Sequence, residues 1–170
     1  MWFNDPIETA GERRMYGKIL VPVDGSETAT AGLEEAIQIA KLVGGKIRIL
    51  HVVNELIIDY AFGSGLYANT VIESMRSDGQ KILNQAEALA RQKGLEPEGV
   101  LIESIGGPAA QFIAEQAKEW PADLVVMGTH GRRGLRRLAL GSDAETVLRS
   151  VAAPVLLVHR PATKSPATKS

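Results

Sequence analysis

DLVVMGTHGRRGLRRLALGSDAETV, residues Asp123 to Val147, is the stretch whose reading decides the fold. It opens with Asp123-Leu124-Val125-Val126-Met127, an apolar run of the kind that lies in a parallel sheet with both faces covered. The run breaks at Gly128-Thr129-His130-Gly131, crosses a basic segment and meets Gly141-Ser142 where a helical pattern begins. Glycine after a buried strand frees the backbone and lets a ligand come close to main-chain N–H groups. A helix starting at Gly141-Ser142 points unpaired N–H groups and the positive end of its dipole into the same space. Together these parts can cradle a phosphate. The plainer alternative is ordinary strand–helix punctuation, with Ser142-x-x-Glu145 as a capping box.

Outward from this stretch, strands and helices alternate. Lys18 to Val23 reads as the first strand, with Pro22 near its end, where the ladder can tolerate a missing donor. Asp24-Gly25-Ser26 follows, Ser26 as N-cap, and Ala29, Leu33, Ala36, Ile37, Ala40 and Val43 form one helical stripe that stops at Gly44-Gly45. Lys46 to Val53 is a second strand, and residues 54–69 show no clear period. Gly63-x-Gly65-x-x-Ala68 matches a dinucleotide fingerprint but lacks the strand and helix that give the pattern meaning. A helix ending near Gly94, a weaker strand from Glu98 to Ile105, and a helix opening at Pro108 come next. That helix carries Ala109, Phe112, Ile113, Ala117 and Trp120 and stops at Pro121. After the central stretch, a last helix ends before Pro154, and Val155 to Val158 is a fifth strand. The alternation predicts an α/β fold, an open parallel sheet with helices on both faces. Such sheets bind ligands beyond their strands' carboxyl ends, where the winding reverses.

Residues 1–17 read as a loose leader with Trp2 or Phe3 available for packing, 18–160 as one domain, and 161–170 as a disordered tail made of PATKS twice over. A net charge of -1 argues against a general nucleic-acid binder, and the absence of cysteine excludes disulfides and thiolate metal sites. With no apolar run near the roughly 18 residues of a membrane span, and no signal-like segment, the expectation is a cytoplasmic protein. The three histidines show no metal-ligand spacing.

The spacing Gly128-x2-Gly131-x9-Gly141-Ser142 resembles the nucleotide-binding signature of the universal stress protein family, in its ATP-binding branch. ILVPVDGSE, GGPAAQFIAEQA and APVLLVHR also look like family positions, so the resemblance runs from Lys18 to His159. It implies a Rossmann-like sheet of strand order 3-2-1-4-5, which would make strands 1 and 4 neighbours, and a homodimer through the Val155–Val158 edge. It further implies ATP, accompanied by Mg2+, with the base near Val52 and Met127, the ribose near Asp24, and phosphate on the N–H groups of Gly131, Gly141 and Ser142. Pro22, Val23, Gly128, His130, Arg132, Asp143 and Ala144 complete the implied site. Asp143 departs from the family pattern, which has a small or apolar residue there. A carboxylate suits a helix N-terminus but repels a nearby triphosphate.

Each residue also has a plainer role: Asp24 in helix capping, Val52 in the core, His130 in a solvated turn. Arg132, Arg133, Arg136 and Arg137 could draw in phosphate or merely form a solvated face. No catalytic constellation and no Walker lysine is visible. The sequence thus offers a place for ATP without a machine for using it, and implies a regulatory module in stress adaptation. Two alternatives remain: a slow ATP-hydrolysing enzyme, and a nucleotide-free dimerisation or adaptor module.

Overall fold

The structure, a computed structural model, describes residues 15–54, 68–104, 106–129 and 140–159. The elements run β1 (Lys18–Pro22), α1 (Glu27–Val43), β2 (Lys46–Asn54), α2 (Ala68–Gln92), β3 (Glu98–Ser104), α3 (Ala109–Glu119), β4 (Leu124–Gly128), α4 (Ser142–Ser150) and β5 (Val155–Val158). All pairings are parallel and the order is β3-β2-β1-β4-β5, the order implied by the resemblance. The winding reverses between β1 and β4.

Alternation along the strands divides the core in two. Ile19, Val21, Val23, Ile49, Leu124 and Val126 face α1 and α2. Leu20, Leu50, Val125 and Met127 face the other way, against Ala110, Ile113 and Ala117 of α3 and Ala144 and Val147 of α4. Helix α1 buries Ala29, Gly32, Leu33, Ala36, Ile37 and Ala40, nearly the predicted stripe, and ends on Gly44 in the left-handed region (φ 65°). In α3 the buried residues are Ala110, Ile113 and Ala117, so the stripe begins one position after the expected Ala109. Trp120 lies at that helix's C-terminal cap, with Lys18 Nζ and the Arg48 guanidinium 5.6 and 4.7 Å from its ring centroid. Tyr16, within the expected leader, packs on the core, and Gly17 O accepts from Lys46 N–H at 2.8 Å. Trp2, Phe3, Ile105, the glycine pattern at 63–68 up to residue 67 and the PATKS repeat lie outside the described residues.

Several boundaries differ from the sequence reading. The first strand ends at Pro22 rather than Val23, although Val23 N–H still donates to Leu50 O at 2.8 Å. Successive amides of a strand face alternate neighbours, so the donor that Pro22 lacks is one that would have faced β4. The β1–β4 register accordingly covers Ile19↔Leu124 and Leu20↔Val125 and ends before Pro22. Pro108 is the N-cap of α3 and not its first helical residue: its backbone is extended (φ -71°, ψ 144°). The capping box at Ser142 does not form. Gly141 is the N-cap, and the Glu145 carboxylate instead pairs with Arg149, one helical turn on, at 2.8 Å.

Candidate functional site

At the winding reversal two loops leave the carboxyl edge of the sheet. The first, Asp24-Gly25-Ser26, is shaped by its own side chains. Gly25 takes φ 82°, which a residue with a side chain rarely adopts. Asp24 Oδ1 accepts from Ser26 N–H at 2.9 Å, and Ser26 Oγ accepts from Ala29 N–H at 3.1 Å. The hydroxyls of Ser26 and Thr28 lie 3.2 Å apart. Ser26 therefore caps α1 as expected, while Asp24 braces the turn that delivers the cap.

The second loop is sewn shut at its base. Thr129 N–H donates to Val158 O at 3.0 Å, which continues the β4–β5 ladder, and Gly141 N–H donates to Thr129 O at 2.9 Å. This bond places the start of α4 beside the end of β4. Gly141, with extended backbone (φ -65°, ψ 149°), contributes no side-chain cap, and its carbonyl accepts from Glu145 N–H at 2.9 Å. The N–H groups of Ser142, Asp143 and Ala144 have no acceptor within the helix, and the helix dipole adds positive character there. Asp143 and Glu145 sit in that same first turn. The Thr129 hydroxyl and His159 Nδ1 are 3.2 Å apart at the rim, a pairing the sequence reading missed, since 30 residues separate them.

Between the loops the edge is notched. Strand β1 stops at Pro22, opposite Leu50, while β2 runs on to Asn54. Val52 on β2 and Met127 on β4 flank the end of β1, and both belong to the side of the sheet covered by α3 and α4. Ala144, in the first turn of α4, is buried on the same side. The fold thus brings Pro22, Val52, Met127, Gly141, Ser142, Asp143 and Ala144 to one end of the sheet. Val23 is buried toward α1 instead. Gly128 is also tied to α1. A Cβ there would lie 2.7 Å from the carbonyl carbon of Thr28 and 2.9 Å from Ala29 N, so the absent side chain is required by helix packing. His130, Gly131, Arg132, Arg133, Arg136 and Arg137 lie outside the described residues.

A further residue that the sequence reading passed over stands under this edge. His51 is buried, and its Nδ1 lies 2.6 Å from Val23 O, the last carbonyl before the Asp24 turn. The only signal for it in the sequence was a histidine inside an otherwise apolar strand.

Known proteins resemble this chain over most of its length. The sequence model of the universal stress protein family matches residues 15–159. Universal stress protein MJ0531 of Methanocaldococcus jannaschii is 34% identical over 151 residues, covering 86% of this chain and 84% of the relative. Among solved structures, MJ0577 of the same organism superposes with a TM-score of 0.76 at 26% identity, covering 88% of this chain and 99% of that one. A universal stress protein in complex with cAMP has a TM-score of 0.64 at 25% identity, covering 86% and 99% of the two chains. One from Archaeoglobus fulgidus in complex with dAMP has 0.59 at 25%, covering 85% and 98%.

Proposed function

The chain belongs to the universal stress protein family, and on that premise we propose that it is an ATP-binding regulatory module serving stress adaptation. One observation carries the reading. The Gly141–Thr129 hydrogen bond sets the uncapped start of α4 beside β4, at the end of the sheet that also holds Val52 and Met127. Adenine would lie against Val52 and Met127, the ribose by Asp24, and phosphate oxygens on the N–H groups of Ser142, Asp143 and Ala144. The Gly141 N–H, already given to Thr129 O, would contribute by closing the loop. Pro22, His130, Gly131 and Arg132 would complete the proposed site, with Val23 and Gly128 supporting it from the α1 side. The cAMP and dAMP complexes of structural relatives support an adenine nucleotide as the ligand class. Among the described residues no group of three or more acidic or histidine side chains could hold a metal. Mg2+ would therefore enter with the phosphates, which suits its preference for phosphate and water ligands.

Replacing Gly141 with valine tests the site. Its backbone angles suit any residue, so a side chain there should obstruct the ligand without straining the backbone. Ligand at a hundred times its dissociation constant stabilises the native state by about 2.7 kcal/mol, or about 5–10 °C in melting temperature for a domain of this size. Wild type should show that shift with Mg-ATP, and Gly141→Val almost none; equal shifts would place the phosphates elsewhere. AMP and cAMP belong in the same series. Turnover above about one ATP per minute would favour an enzyme, whose usual rates are of order 1–1000 per second.

Asp143 favours the second reading, a nucleotide-free adaptor, because its carboxylate sits in the turn where phosphate would bind. No shift with any adenine nucleotide in wild type would select it. In either reading we propose a two-fold dimer through β5, a half-buried edge strand. Val158 O faces β4, so alternation turns the N–H and C=O of Leu157 outward. Leu157→Pro removes that outward donor, and light scattering should then report monomers. A persistent dimer would rule the edge out.

A further inference from the structure

We infer that His51 is a positioning residue for the ligand loop. A carbonyl can only accept, so the 2.6 Å contact to Val23 O requires the proton of His51 to be on Nδ1. The bond ties the end of β1 to β2 beyond Pro22, the last residue of the strand. Val23 O belongs to the peptide that leads into Asp24, and Asp24 in turn holds Ser26 N–H. The imidazole thus fixes the first link of a chain that runs through Asp24 and Ser26 to the cap of α1.

The ring is also held from its other side. On α2, a Cβ at Gly79 would lie 3.1 and 3.3 Å from His51 Cδ2 and Nε2, and 2.4 Å from Val53 Cγ2. Only a glycine lets α2 approach β2 this closely, and that approach confines the ring. A buried, packed side chain with a short hydrogen bond to a carbonyl loses little freedom when ligand arrives, which is what a preorganised site needs. His51 does this from the α1–α2 side of the sheet, opposite Val52. It supports the proposed site without touching the ligand.

The inference rests on the nucleotide reading for one of two readouts and is independent of it for the other. His51→Asn keeps an N–H at the Nδ1 position, His51→Gln moves it toward Nε2, and His51→Leu removes it. In ligand-free protein, hydrogen exchange at the Ser26 and Ala29 amides should quicken at least about 10-fold in the Leu and Gln variants, beyond any change at Ile37 in mid-helix. The Asn variant should stay within about 3-fold of wild type at both amides. Titration with Mg-ATP below each variant's melting temperature should show the same split: weakening of about 10-fold for Leu and Gln, and rescue by Asn. Exchange that is unchanged, or that rises equally at Ile37, overturns the inference, as does tight binding by the Gln variant. If wild type itself fails to bind, the nucleotide reading falls while the exchange data still decide the role of His51. If the Leu variant does not fold, the Asn–Gln pair carries the test.

Discussion

Helices α1 and α4 both begin at the carboxyl edge of the sheet, beside adjacent strands, and they begin in opposite ways. Helix α1 is closed from within its own chain. Ser26 Oγ takes the Ala29 N–H, Asp24 takes the Ser26 N–H, and the Thr30 hydroxyl returns to Ser26 O at 3.0 Å. Helix α4 has Gly141 where α1 has Ser26, and no side chain among the described residues closes it. With glycine rather than serine at its N-cap, α4 forgoes only about 0.3 kcal/mol of available stabilisation. The difference separates a helix end closed by its own loop from one that, among the described residues, has no side-chain cap and would suit the proposed phosphate. The same distinction applies to the glycines. Gly128 lacks a side chain because α1 occupies the space, whereas Gly141 adopts angles open to any residue.

The largest effect should come from forcing a side chain between α1 and β4. Gly128→Ala sets a methyl against the backbone of Thr28 and Ala29, which cannot yield without moving the helix. Overpacking of this kind costs about 3 kcal/mol, or about 6–12 °C in melting temperature. A loss below about 1 °C in calorimetry would mean that α1 is not pinned there. Ser26→Ala breaks the comparison from the capped side: a cost of about 1 kcal/mol, or about 2–4 °C, with the shift caused by Mg-ATP preserved. If the nucleotide shift vanished with the cap, the two helix ends would not be separable in function. The smallest effect is at α4. Asp143→Asn gives up an acidic side chain in the first turn, worth about 0.3–1 kcal/mol to the free protein, and removes a charge beside the proposed phosphates. Melting temperature should fall slightly while affinity for ATP rises more than affinity for AMP. Equal gains for both would show that the carboxylate does not face the outer phosphates.

Much of this arrangement was legible in the residues. The Val and Leu runs, the alternation of periods and the glycines between them gave five strands in a parallel sheet, because burial on both faces leaves little choice of residue type. Ser26 was legible as a cap because a hydroxyl one turn ahead of an apolar stripe has a specific partner. Strand order was not in the periodicity and came from the resemblance. The start of α4 misled, since Ser142 and Glu145 have the right spacing for a capping box. The Gly141–Thr129 bond moves the cap back one residue, and spacing cannot report a bond across a loop. His51 and the Thr129–His159 pairing were missed for the same reason: their partners, 28 and 30 residues away, are set by the sheet. Trp120 read as an apolar stripe residue, but the rings of helix-end tryptophans can also hold cations, here Lys18 and Arg48.

The order β3-β2-β1-β4-β5 has a mechanical consequence. Strands β1 to β3 with α1 and α2 come from the first part of the chain, and β4 and β5 with α3 and α4 from the second. Both core layers cross between the two blocks, but their strands are joined by a ladder of only two registered pairs, against five for β1–β2, seven for β2–β3 and four for β4–β5. Pro22 shortens that ladder at the end where both loops begin. A molecule reaching from Asp24 and Val52 in one block to the first turn of α4 in the other would span this weld line as a removable rivet. Occupancy should then register as cooperativity: partial opening along the seam should be suppressed, and amides next to the β1–β4 ladder should exchange only with the whole domain.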